Sequence, residues 1–359
     1  MKISINTTYA FVKFNLNYGS VLQNYALQKF LRDRGHEVSV VRDYRVNPIN
    51  LVRRLSNIRY GKLFFAKIHG QIKEQCFIRQ YLNVSNRAYF SYHALEKHCP
   101  DADCHIAGSD QIWRNQNKSR FLSYVPDDAV KISYAASFGT PKLSAEMASF
   151  AKPLLERFQA IGVRELSGKQ IVENLGMSAE LLPDPTLLLN ASDYPVKDTC
   201  QEKHLCYCYF LNLNHQNAVS FTAIKNFTKN KGLKIKITAP SNYALFVDEP
   251  LVFPAVEEWL GLYRSAECVF TNTYHGLLFC IIFKKQFLVF LQGGGTKSEN
   301  ERFFSILDLL SLNERIALET DDAEDLQRKM LVPIDYQKVY KQIGQMRLDA
   351  DEFFKSNGI

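Results

Sequence analysis

No run of apolar residues in this chain of 359 approaches the roughly 18 that a membrane-spanning helix needs. The first residues, MKISINTTYAF, hold one Lys and no long apolar stretch, so a secretory leader is not expected. The eight cysteines follow no zinc spacing. Cys99 and Cys104 stand beside His98 and His105, but the intervals fit no standard tetrahedral set, and Cys206 and Cys208 alternate as on one face of a strand. Reduced thiols, a cytoplasmic location and no metal are therefore expected. There is no low-complexity tract and no internal repeat. With 46% hydrophobic and 23% charged residues the chain has ordinary globular usage, which excludes extensive disorder.

Excess charge is also missing from most of the chain. The formal net charge is +7, and the segment from Arg42 to Arg79 holds it all, with nine basic residues and two acidic ones. The rest balances its signs. A protein that coats nucleic acid would spread its basic charge more widely, so no nucleic-acid partner is expected. The pattern fits one basic element on an ordinary body. Its apolar residues (Leu51, Leu55, Ile58, Phe64, Ile68, Ile72) recur among Arg and Lys at roughly helical intervals, which predicts helices inserted at about 42–80.

What is present is a repeated strand–loop–helix order. Lys2 to Asn6 predicts a strand. A polar stretch containing Asn17, Gly19 and Ser20 follows, then apolar residues at helical spacing from Val21 to Leu31, then a strand from Glu37 to Val41. This is the βαβ signature of a parallel sheet. Further strands are predicted at Cys104–Ala107, Val130–Ala136 and Ala160–Val163, with helices at 144–158 and from Ser167. Pro183 and Pro185 stiffen the chain there and fit a domain junction. A second αβ series has strands at Leu205–Leu211, Leu233–Thr238, Cys268–Thr271 and Phe287–Phe290. Its helices fall at 215–230, within 254–265 and at 276–283, and from the S-x-x-E capping box Ser298–Glu301 to about Leu310. A terminal amphipathic helix is predicted at about 335–356. The fold class is α/β: two Rossmann-like doubly wound domains, at 1–183 and 184–320. The segment 321–359 is expected to pack back on the first.

Ligands in open α/β sheets collect at the carboxyl ends of strands. Thr271-Asn272-Thr273-Tyr274-His275-Gly276 lies between a buried strand and an apolar helix. A helix N-terminus there favours an anion, and an imidazole can donate a proton near neutral pH; the alternative is a capping region whose His fills space. Arg164, after the strand Ala160–Val163, can fork onto a carboxylate or phosphate, or pair with Glu165 or another carboxylate. Lys297 follows three glycines without Walker spacing, as a phosphate loop or a flexible surface loop. Asp110, in Gly-Ser-Asp-Gln, can orient or deprotonate a hydroxyl, or cap a turn. Asn17 and Tyr18 can bind an anion or a sugar, or belong to a tight turn that requires Gly19.

Several segments together resemble the polysaccharide pyruvyl transferases: Asn17-Tyr18-Gly19-Ser20-Val21-Leu22-Gln23-Asn24-Tyr25, Gly108-Ser109-Asp110-Gln111-Ile112-Trp113, Ser133 to Gly139, Val163-Arg164-Glu165, Asp184-Pro185-Thr186, and Thr271 to Gly276 with the helix that follows. They occur in order over about residues 1–315. The resemblance implies a GT-B-like fold with the active site in the interdomain cleft. It implies transfer of a pyruvyl group from phosphoenolpyruvate, as co-substrate and with no cofactor, to two hydroxyls of a sugar, forming a cyclic ketal on a bacterial cell-surface polysaccharide or its lipid-linked precursor. The family's donor-site Arg and His map onto Arg164 and His275. Gly276 and Lys297, or instead Lys284 or Lys285, complete the expected phosphoenolpyruvate site. Asn17, Tyr18, Ser20, Asp110 and Gln111 are the expected acceptor side, with His275, Asp110 and Arg164 as the catalytic groups. A lipid-linked acceptor would give the basic segment a purpose, holding the chain peripherally at the anionic inner face of the plasma membrane. The competing readings are a GT-B glycosyltransferase that uses a nucleotide-sugar and a non-catalytic glycan-binding module.

Overall fold

A computed structural model describes residues 1–8, 16–44, 61–197, 203–211, 213, 221–240, 251–292 and 300–359. Residues 45–60 of the basic segment, including Arg53, Arg54 and Arg59, lie outside the described residues, as do Lys297 and the expected cap at Ser298.

Seven strands among the described residues form the first sheet: β1 (Lys2–Asn6), β2 (Glu37–Asp43), β3 (Val84–Tyr89), β4 (Cys104–Ala107), β5 (Val130–Ala136), β6 (Ala160–Val163) and β7 (Glu180–Leu181). Their order is 3-2-1-4-5-6-7, and every pairing is parallel. The second sheet holds β8 (Leu205–Tyr209), β9 (Lys234–Thr238), β10 (Cys268–Thr271), β11 (Gln286–Phe290) and β12 (Ile316–Ala317), in the order 12-11-10-8-9 and again all parallel. Central strands such as β4, β8 and β10 are buried at every position, as expected when helices cover both faces of a parallel sheet.

The helices are α1 (Tyr18–Arg32), α2 (Lys62–Tyr81), α3 (Tyr92–Lys97), α4 (Ala145–Leu155), α5 (Leu166–Asn174), α6 (Phe221–Asn230), α7 (Val256–Ser265), α8 (Tyr274–Ile282), α9 (Glu301–Leu310), α10 (Ala323–Leu331) and α11 (Tyr336–Ser356). The segment 321–359 divides between the two sheets. α10 packs against α6 and β11, whereas α11 crosses from one domain to the other. Near its start, Tyr340 donates to the carbonyl of Ile282 at 2.8 Å. Near its end, Phe354 stacks on Tyr134 at 4.9 Å, and Arg34 pairs with Asp351. Between these points Arg347 donates to the carbonyls of Leu187 and Leu189 at 2.7 and 2.6 Å. One apolar core runs from Ile3 and Leu22 through Trp259 and Phe279 to Phe354, so the two sheets share a continuous interior.

Strand order locates the crevices. In the first sheet the winding reverses between β1 and β4, and in the second between β8 and β10. Such reversals leave a gap at the carboxyl ends of the strands, where loops diverge. α1 starts beyond β1, and α8 starts immediately beyond β10.

Candidate active site

The two crevices meet at His275. Thr273 caps α8 by accepting from the Gly276 N–H at 2.9 Å. Only glycine fits at 276, because a Cβ there would fall 2.3 Å from Thr271 Oγ1 and 2.4 Å from Thr273 Oγ1. This tight start presents His275 to the first domain. There the ring lies against Gly19 in the first turn of α1; a Cβ on Gly19 would fall 2.3 Å from both Cγ and Nδ1 of the imidazole. On its other side Nε2 lies 3.4 Å from Asp184 Oδ2, an ion-pair distance.

Asp184 is the hub of the site and is fully buried. Its Oδ2 also accepts from Arg164 Nη1 at 3.0 Å and from Ser109 Oγ at 3.3 Å. Its Oδ1 accepts from the Thr186 N–H at 3.0 Å and the Thr186 hydroxyl at 2.8 Å. Burial alone would raise its pKa. The positive charges of His275 and Arg164 and the Thr186 N–H outweigh that and hold the carboxyl well below the usual range. Asp184 was legible only as part of the Asp-Pro-Thr motif, and nothing in the sequence shows that β6, α8 and the β4 loop converge on it.

Arg164 adopts the second of its sequence readings, pairing with Glu165 and with another carboxylate. Its Nε donates to Glu165 at 2.9 Å and its Nη1 to Asp184, so two carboxylates compensate its charge. Burial would depress its pKa, but Glu165, Tyr274 and Asp184 raise it further still. Its Nη2 is buried with no hydrogen-bond partner among the described residues. The guanidinium carbon sits 4.5 Å over the Tyr274 ring.

The same ring is approached at 6.0 Å by Arg302, a residue that the sequence reading passed over. Arg302 occupies the first turn of α9. Its Nε is buried without a partner, and no ion pair to it occurs among the described residues. Burial and the nearby charge of Arg164 lower its pKa. With Gln111, Thr140, Glu165 and Ser167 it lines a small recess beside Arg164. A cation immediately after the capping-box Glu301 was the available signal, hidden among other surface-type charges.

The other expected site residues divide. Gln111 faces the recess. Asp110 adopts a left-handed backbone, and its Oδ1 accepts from the Gln111 N–H at 2.9 Å, which is the turn reading. Asn17 caps α1 by accepting from the Ser20 N–H at 3.3 Å, and the Ser20 hydroxyl donates to the Thr8 carbonyl at 3.3 Å. Tyr18 is fully buried, stacks on Trp259 at 5.1 Å and donates to the Pro254 carbonyl at 2.8 Å. Asn17, Tyr18 and Ser20 thus anchor α1 to its surroundings. Lys284 and Lys285 lie beyond the far end of α8, about 13 Å along its axis from His275. Lys284 Nζ sits 4.7 Å over Tyr340, and Lys285 donates to the Arg264 carbonyl at 2.5 Å, so neither joins the cluster.

Two parallel-sheet domains with facing switch points and a buried histidine between them define a GT-B-like α/β protein. Solved structures share this fold: UDP-N-acetylglucosamine 2-epimerase from Rickettsia bellii (11% identity, 99% of this chain and 96% of that one, TM-score 0.55), its counterpart from Methanocaldococcus jannaschii (10%, 93% and 93%, 0.54), and the kitacinnamycin glycosyltransferase (10%, 99% and 98%, 0.52). Residues 17–292 match the polysaccharide pyruvyl transferase family model, and the chain belongs to that family. No curated protein matches it significantly. The matched span contains Gly19, Asp110, Arg164, Asp184 and His275, and Arg302 lies beyond it.

Proposed function

We propose that the chain transfers the pyruvyl group of phosphoenolpyruvate to two hydroxyls of a cell-surface sugar, forming a cyclic ketal. The observation that carries this reading is the buried Asp184–His275 pair at the meeting of the two crevices, with Arg164 and Arg302 beside it. Phosphoenolpyruvate has a phosphate and a carboxylate, so its site needs cations and N–H donors. Arg302 and the N-termini of α8 and α9 supply them, and Arg164 contributes its unpartnered Nη2.

The chemistry has three parts. Protonation of the vinyl CH2 generates a methyl group and an oxocarbenium-like carbon. One sugar hydroxyl attacks that carbon, and phosphate departs with the C–O electron pair. The second hydroxyl then closes the ketal, so one hydroxyl proton replaces the proton delivered to carbon and the other leaves with phosphate. His275 moves the proton. Asp184 fixes the ring's orientation and stabilises the positive charge that develops on it during proton transfer. Arg302 stabilises the charge on the leaving phosphate.

The test is phosphate release from phosphoenolpyruvate against nucleotide release from a panel of nucleotide-sugars. Phosphate release is expected, with Arg302→Ala raising the phosphoenolpyruvate KM about tenfold or more. Nucleotide release instead would establish the glycosyltransferase reading. No helix among the described residues is long and apolar enough to cross a membrane. Attachment to an anionic membrane surface through the basic segment belongs to the same proposal and follows from a lipid-linked acceptor.

A further inference from the structure

A groove of about 620 Å³ opens next to the cluster, between β7, α9 and α11, with Arg164, Asp184 and Tyr274 at its floor. Its size falls within the range of about 300–1,000 Å³ typical of small-ligand sites. Its walls are mainly apolar, with Leu166 and Leu309 53% and 42% exposed.

The charges select the ligand. Among the described lining residues Arg164 is the only cation, and two carboxylates already compensate it. Glu301, Asp308 and Asp349 bring negative charge to the groove. An anionic ligand is repelled there, whereas a pyranose can lay its C–H face on the apolar wall and donate its hydroxyls to the exposed carboxylates of Asp308 and Asp349. We propose that this groove holds the acceptor and selects an uncharged sugar over a uronic acid. Its role as the acceptor site rests on the function proposed above. It replaces Asn17, Tyr18 and Ser20, whose polar atoms are engaged with other parts of the protein.

The experiment uses the full chain on an array of neutral oligosaccharides and their uronic-acid counterparts, without phosphoenolpyruvate. The neutral glycan that binds best then serves as titrant. Neutral binding is expected, weakened at least tenfold by Leu309→Trp, which fills the groove from a partly exposed position. Asp308→Lys, at the exposed rim, is expected to improve uronic-acid binding at least fivefold. Binding confined to uronic acids, no neutral binding, or neutral binding unchanged in Leu309→Trp overturns the proposal. Phosphate release from phosphoenolpyruvate is measured in parallel. Its absence alongside groove-dependent glycan binding contradicts the donor chemistry and not the groove.

Discussion

Replacing Gly19 with Ala tests whether His275 acts from the position it occupies. The added Cβ would lie 2.3 Å from Cγ and Nδ1 of the imidazole, where ordinary contact begins near 3.4 Å, so the ring must retreat by about 1 Å. Asp184 holds the ring from the other side at 3.4 Å, so retreat also distorts that pair. A 1 Å misplacement of a reacting group costs on the order of 10²-fold in rate. Overpacking costs about 1–3 kcal/mol of stability, and the better helix propensity of Ala in α1 returns up to about 1 kcal/mol. Activity should therefore fall by about a hundredfold with only a modest drop in melting temperature, read by phosphate release and thermal denaturation. Gly344→Ala is the control, since nothing lies within 4 Å of a Cβ at that helical position, and it should keep full activity. Wild-type turnover by a folded Gly19→Ala protein would refute the placement of His275 at the centre of the chemistry.

Asp184→Asn should cost about 3–5 kcal/mol of stability, because it removes one partner of a buried ion pair, and should lower turnover by roughly 10²–10⁴-fold. Glu74 on α2 gives a pH signature: burial pushes its carboxyl up to about 8, weakly opposed by the nearby Asn17 N–H, and neither oxygen makes a full hydrogen bond among the described residues. A folded-state value above the unfolded one of 4.5 means that the full stability is present below pH 4.5 and is lost as pH rises towards and through 8. Glu74→Gln should therefore stabilise the protein at pH 8, by on the order of 2–4 kcal/mol, and leave it unchanged near pH 4.5, in melts across that range. Neutralising Arg53, Arg54, Arg59 and Lys62 together should abolish co-sedimentation with anionic vesicles without changing phosphate release, each charge being worth about 1 kcal/mol at such a surface.

The parallel αβ architecture was legible because central strands such as β8 and β10 are short, nearly continuous apolar runs and α8 is an apolar run beginning near Gly276. β3 was not, because it is an edge strand of mixed polarity, Val-Ser-Asn-Arg-Ala-Tyr, with an unremarkable burial pattern. β12 has only two residues, and α10 has a sequence resembling other exposed helices. His275 and Arg164 were legible from their places after buried strands. Asp184 and Arg302 were not, because their importance comes from long-range convergence: Asp184 meets a histidine 91 positions later only through the apposition of the two domains. Tyr18 misled for the converse reason. A tyrosine at a polar loop looks like a ligand contact, but its ring completes the aromatic stack with Trp259 and Tyr209.

The central claim is tested most directly by incubating the protein with phosphoenolpyruvate and the neutral glycan that it binds, then weighing the glycan by mass spectrometry. The account predicts one ketal-bound pyruvyl group per modified glycan, one phosphate released for each, and neither product from His275→Ala. A glycan of unchanged mass, or His275→Ala forming the ketal at the wild-type rate, would contradict it.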